Sequence, residues 1–404
     1  MSEGFVKILR NRNFLYLWTG QFISNIGDRF AWIGMIVLVY ENTGKAANLS
    51  FLMIFLALPS LIFGSFAGVF VDRWSRKTVM IVSDILRGIL YGSLPFVTII
   101  SKYFGINELY YVYFVAFLSA AITEFFYPAR ASTIPNIVEE NDLMTANSLS
   151  QTTQYASTLV GPSIAGLTIA LFGVNTAFLI DGFSFFFSAF CIGLMEIKSN
   201  IIEEKFEIFK EWKEGFRICL KTKPIIFTLI LFSFTMLAAG SANVLLYPFA
   251  EESLGVNTRG FGFLTTMNGV GMIIGAVIIG NYFKEMKPGK LILYGMGIGG
   301  FGLALMGFLK SFYISLFLFI FVGILNASIS IASTTIFQRS IEDRNRGKVF
   351  GIVGMIITVF SIISMGAAGF LGDSFGSANV IAIVGVLILL LGFFGKFIPG
   401  YEET

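Results

Sequence analysis

GSFAGVFVDRWSRK, residues 64–77, is the stretch on which the reading of this chain turns. Gly64 and Gly68 stand one helical turn apart near the end of an apolar run. Asp72, Arg73, Arg76 and Lys77 follow before a second apolar run opens at Thr78. Ions are costly in hydrocarbon, so a short charged turn between two membrane-length segments lies at a water interface. Its cluster of positive charge names that interface, because Lys and Arg accumulate in short cytoplasmic loops.

The chain of 404 residues is 55% hydrophobic and only 13% charged, with a mean hydropathy of +0.80. A soluble domain carries about 25% charge, so this composition belongs to a membrane protein. Apolar runs of spanning length number twelve: 14–40, 49–71, 78–101, 109–128, 147–172, 175–196, 225–249, 260–282, 290–309, 312–336, 348–371 and 377–398. They are numbered here as spans 1 to 12. The expected fold is all-α, and the absence of alternating short strands argues against a membrane barrel.

Charge sets the orientation. With a cytoplasmic N-terminus, 23 of the 28 Lys and Arg residues fall inside, Arg87 being counted beside the first cytoplasmic loop. Lys45, Lys102, Arg259 and Lys310 fall outside, and Arg29 lies within the membrane. The expectation is a multi-pass protein of a prokaryotic cytoplasmic membrane with both termini in the cytoplasm. The net charge of +3 then describes topology, and no nucleic-acid partner is expected. The first apolar run is too long for a cleavable signal, and two cysteines, Cys191 and Cys219, make no disulfide framework.

At residues 64–77 the chain resembles the major facilitator superfamily of secondary transporters. Their signature between spans 2 and 3 reads Gly-x-x-x-Asp-Arg-x-Gly-Arg-Lys, and Ser75 stands here where the second glycine is usual. A Gly-Asp midway along span 1 (Gly27, Asp28) and Tyr40-Glu41-Asn42-Thr43-Gly44 at its end narrow the resemblance. Tyr127-Pro128-Ala129-Arg130, Ala146-Asn147, Gly161-Pro162 and Arg346-Gly347-Lys348 fit the same branch, that of macrolide-efflux proteins and the enterobactin exporter. The resemblance implies two pseudo-symmetric six-helix bundles working by alternating access. It also implies an inner gate at Gly64, Gly68, Asp72, Arg73, Arg76, Lys77 and Arg130, with Asp72 docking on the cytoplasmic end of span 11. A carboxylate is favourable at a helix N-terminus. Gly161-Pro162 is only a weak match to the span-5 antiporter signature, because Ser157 replaces its first glycine.

The expected division is a six-helix bundle at 1–198, an amphipathic linker at 199–223 and a second bundle at 224–404. In the linker, Ile201, Ile202, Phe206, Phe209, Trp212 and Phe216 oppose Glu203, Glu207, Lys210, Glu211 and Lys213 at helical spacing. The halves echo faintly: Gly271 and Gly275 repeat the spacing of Gly64 and Gly68, Lys284 falls where Lys77 would, and Ile279 replaces Asp72. In folds built from such repeats the substrate site lies between them near mid-membrane.

Ionisable groups within spans are the functional pointers: Asp28 and Arg29 in span 1, Glu124 in span 4 and Asp181 in span 6. The chain contains no histidine, so proton coupling would fall to carboxylates, with Asp28 and Glu124 leading. The alternative is structural: Asp28, Arg29 and Asp181 neutralise one another, and Glu124 pairs with Arg130. Polar residues placed to meet substrate, or to join helices, are Asn25, Gln154, Tyr155, Asn243, Tyr247, Asn268 and Asn326.

The function expected is proton-coupled efflux of amphipathic drugs, macrolides or siderophores by a monomer in contact with membrane lipids. A lysophospholipid transporter of the same fold is the alternative. With no histidine, aspartyl dyad or metal cluster, an enzyme is not expected, and neither metal nor cofactor is called for. The absence of a Walker loop excludes ATP as the energy source.

Overall fold

A computed structural model of the chain describes residues 7–197, 208–283, 285–341 and 343–404, without the side chains of 65, 68, 69, 72, 208–212, 215 and 343–348. Twelve helices in it are long and apolar enough to cross a membrane. They are Arg12–Thr43, Ala46–Gly64, Arg76–Phe104, Glu108–Ile137, Glu140–Phe172, Val174–Gly193, Lys223–Ser253, Thr258–Tyr282, Pro288–Leu309, Phe312–Ser340, Val349–Phe375 and Ser377–Phe397. The helix of span 2 runs on to Asp72. Each span of the sequence thus has its helix, and no strand interrupts them among the described residues.

The connections have a regular grammar. Each odd-numbered connection holds one residue at positive φ: Gly44, Gly105, Gly173, Gly255, Lys310 and Gly376. Even-numbered connections hold none among the described residues. Gly173 (φ 84°, ψ 162°) occupies backbone space closed to side-chain-bearing residues. Lys310 (φ 46°) stands at the same place in the fifth such turn without that freedom. Side-chain caps start several spans: Asn107 accepts from Leu109 N at 2.9 Å, and Asn257 from Arg259 N at 3.1 Å. Ser75, the departure from the superfamily signature, is the cap of span 3 and accepts from Thr78 N.

The chain divides into two compact units, Met1–Asn42 with Phe55–Phe206, and Thr43–Ile54 with Glu207–Thr404. Within the first, span 3 packs against spans 4 and 6; within the second, span 9 packs against spans 10 and 12. The pairs 3–6 and 9–12 are one repeat apart. Lipid tails give helices no hydrophobic reason to associate, so small residues carry the packing. A side chain at Gly182 would lie 3.1 Å from the Gly88 carbonyl of span 3, and Gly300 is packed just as closely against Gly385 of span 12. In span 8, Gly271 and Gly275 lie directly on the backbone of span 10.

Span 2 is shared. Its first residues, to Ile54, belong to the second unit and the rest to the first. Pro59 inside this helix has no N–H for the carbonyl of Phe55, four residues back, so the ladder is weakened where the helix changes unit.

The linker is a helix over Ile208–Lys221. Ile201, Ile202, Glu203, Phe206 and Glu207 lie outside the described residues, as does Lys284 of the glycine echo. Cys219 is only 1% exposed and packs with Ile225, Phe337, Ile341, Val349 and Ile352, which attaches the end of the linker to the second unit. Phe216 and Leu220 on the same helix remain exposed.

Candidate functional site

In the first unit a group of charges is buried at depth, and its centre is Arg87. The charge count placed this residue beside a cytoplasmic loop; it lies instead inside span 3 and is 5% exposed. Its guanidinium sits 4.7 Å from the ring centroid of Phe126 and 4.2 Å from that of Phe185. Cation–π contacts of this kind are each worth about 2 kcal/mol when desolvated. Nη2 donates to Asp84 Oδ1, one helical turn earlier, and Nη1 approaches Thr123 Oγ1 at 3.4 Å.

Asp84 is fully buried. Ser188 of span 6 stands within range of it and is approached in turn by Gln21 Nε2 at 3.4 Å. Asp181, also fully buried, has Ser184 Oγ 3.2 Å from Oδ1. Asp28 completes the set, within electrostatic reach of Arg87, Arg29 and Asp181. Arg29 lies along Gly161 of span 5, where any larger residue would displace it, and its Nη2 donates to Thr158 Oγ1 at 2.8 Å. Tyr127 stands within range of Asp28, Arg87, Arg130 and Arg29.

The group is close-fitted and yet incompletely satisfied. Gly27 is required because a Cβ there would run into Ser184 Oγ and Asp181 Oδ1. Four buried atoms have no hydrogen-bond partner: Asp84 Oδ2, Asp181 Oδ2, Arg29 Nε and Arg87 Nε. Buried polar atoms are rarely left so. Three carboxylates face two guanidinium groups, and the set is neutral when it holds one proton.

The structure therefore brings Asp28, Arg29 and Asp181 together and adds Asp84 and Arg87. Neither of these two was singled out from the sequence. The available signal was their i, i+3 spacing, an acid and a base on one helix face, well past the charged start of the run. Glu124 stands apart. Its Oε2 faces Gly64 at 3.4 Å from where a Cβ would be, and no ion pair joins it to Arg130 among the described residues. Arg130 lines a small pocket with Asn25, Gln21 and Thr153.

Two cations of the 64–77 stretch bind backbone carbonyls of other spans. Lys77 Nζ donates to the carbonyls of Gly193 (2.7 Å) and Met195 (2.6 Å), at the C-terminus of span 6. Arg76 Nη1 donates to Ser132 O of span 4 at 2.8 Å. Cations at helix C-termini satisfy orphan carbonyls and oppose the dipole. Arg73 is exposed, and the side chain of Asp72 lies outside what the structure describes.

The polar candidates divide between the units. Asn25, Gln154 and Tyr155 are in the first, and Tyr155 is 63% exposed. In the second, Asn326 Nδ2 lies 3.5 Å from Asn268 Oδ1, Asn243 is exposed, and Tyr247 is buried with its hydroxyl 3.3 Å from Thr258 Oγ1. Asn268, Asn326 and Tyr247 thus join elements of their own unit.

A family described as transmembrane secretion effectors, within the major facilitator superfamily, matches residues 5–393. The chain belongs to this superfamily. It is 26% identical over 408 residues to the MFS-type transporter YfiS of Bacillus subtilis, covering 95% of this chain and 93% of that one. Macrolide efflux protein A of Streptococcus pyogenes is 25% identical, with 94% of each chain covered. The putative bacilysin exporter BacE of B. subtilis is 25% identical, with 87% of each covered. Among solved structures the fold is shared with the nucleoside transporter NupG (TM-score 0.73, 12% identity, 95% of this chain and 98% of that one). It is also shared with a bacterial homologue of ferroportin (TM-score 0.74, 16% identity, 96% and 99%). These relatives are transporters and not enzymes.

Proposed function

We propose that the protein exports amphipathic small molecules across the cytoplasmic membrane in exchange for protons, by alternating access, with both termini in the cytoplasm. The observation that carries this reading is the buried group around Arg87. It holds three carboxylates, two of which, Asp84 and Asp181, keep an oxygen without a partner. A proton has a place to bind there, and no histidine competes for it. Relatives named for macrolide efflux and bacilysin export support the direction and the substrate class. The inner gate at Asp72 and the division into two six-span bundles joined by the linker belong to the same proposal.

Transport into proteoliposomes under an imposed pH gradient, with macrolides, peptide antibiotics, siderophores and lysolipids as candidates, tests it. Gradient-driven accumulation of an antibiotic, lost in Asp181→Asn and retained in Glu124→Gln, is expected. Accumulation that ignores the gradient would remove proton coupling. Competition by lysolipids alone would favour the lipid-transporting reading.

A further inference from the structure

Span 2 opens at Ala46 without a cap of its own, since the preceding Lys45 carries only donors. The cap comes from far along the chain. Asp373, near the C-terminus of span 11, accepts from Ala46 N at 2.7 Å through Oδ1 and from Ala47 N at 3.1 Å through Oδ2. One carboxylate thus takes two of the four free N–H groups of a helix start, the place where negative charge is most favourable.

The packing below this contact is built to bring it close. Gly369, one turn earlier on span 11, lies against Ser50 and within 2.7 Å of the Ala46 carbonyl, measured from where a Cβ would stand. Gly372 approaches Ala46, and Gly366 approaches Ile54. Phe51 meets Phe370 edge to face at 6.4 Å. Gly366, Gly369, Phe370 and Asp373 form a seam along span 11, and residues 46–54 are its counterpart. These residues all lie in one compact unit, although residues 46–54 are the start of a helix whose remainder belongs to the other.

The geometry points to Asp373 as an outer latch, a carboxylate that clamps the start of span 2 to the end of span 11 and must let go each time the outer face opens. It is distinct from the inner-gate motif at the other end of the same helix. It rests on the proposed orientation only for the word outer.

The test uses the full-length protein in intact cells, with Cys191 and Cys219 replaced by alanine and a reporter Ser50→Cys, a site 1% exposed under the seam. Labelling by a membrane-impermeant maleimide should be slow in this parent. Asp373→Ala should accelerate it about fivefold to thirtyfold, the equilibrium factor for losing a helix cap. Lys45→Asp, which gives span 2 a local cap and leaves Asp373 in place, should act in the same direction. So should Gly369→Val, which wedges the seam.

Equal labelling of the parent and both cap variants, in correctly inserted protein, overturns the latch. So does faster labelling in Gly369→Val alone, because packing and not the carboxylate would then hold the contact. If the acceleration appears only when maleimide is added to everted vesicles, the latch stands and the orientation falls.

Discussion

Changing Asp84 to asparagine leaves the Arg87 guanidinium between two phenyl rings with the more distant Asp28 as its counter-charge. Stripping one partner from a buried ion pair costs about 3–5 kcal/mol, so Asp84→Asn should lower the unfolding temperature in detergent markedly. The double change Asp84→Asn with Arg87→Met should recover most of that loss, since removing both charges is often neutral. Asp181→Asn differs, because among the described residues Asp84 and not Asp181 is the ion-pair partner of Arg87, and an amide at position 181 keeps an oxygen for Ser184. The unfolding temperature should hold while gradient-driven transport fails. At this scale the sequence was readable in part. Asp28, Arg29 and Asp181 stood out because each lies well inside an apolar run. Arg87 lies as deep in its own run, 78–101, and was passed over because it was counted with the basic residues of the adjoining loop. The residues that enclose it, Phe126 of span 4 and Phe185 of span 6, are brought there by packing that no local pattern records.

Among the elements, the turns are the parts whose chemistry is most directly testable. Gly173 holds a backbone conformation that costs other residues about 1–3 kcal/mol, so Gly173→Ala should destabilise the protein by that amount in thermal unfolding. The opposite exchange at Lys310 is expected to help. A left-handed conformation costs a non-glycine residue about 1–2 kcal/mol, while glycine's extra freedom in the unfolded chain returns about 0.5–1 kcal/mol of it. Lys310→Gly should therefore raise the unfolding temperature slightly, and a fall would show that the Lys310 side chain holds the turn. The helices themselves were legible throughout, because twenty apolar residues in a row leave the backbone no alternative in lipid. Their partners were not. The Gly271 and Gly275 pair announced a close contact, and only the fold shows that the surface it meets is span 10.

For the whole molecule the arrangement of charge makes its own prediction. A phosphatase that is active only outside the cytoplasm should be silent when fused after Thr404, and a fluorescent protein fused there should shine. The reverse pair of results would invert the topology read from Lys and Arg. Two of those cations have a second duty, since Lys77 is bound to the end of span 6 and Arg76 to a carbonyl of span 4. A count of positive charge registers which side they are on but is blind to what they hold.

Span 2 remains as the helix that answers to two masters, gripped at its start by Asp373 and running past Pro59 into the other unit. Mechanically it is a lever with a soft joint near its fulcrum. A rigid rod would transmit every displacement of its first residues to the charged turn at 72–77; a jointed one absorbs the first degrees of bend before the far end feels them. In the proposed alternating-access cycle, opening at one face and closing at the other then follow in sequence and need not coincide. Pro59→Ala should stiffen the joint, and turnover should slow while substrate affinity measured at equilibrium stays the same.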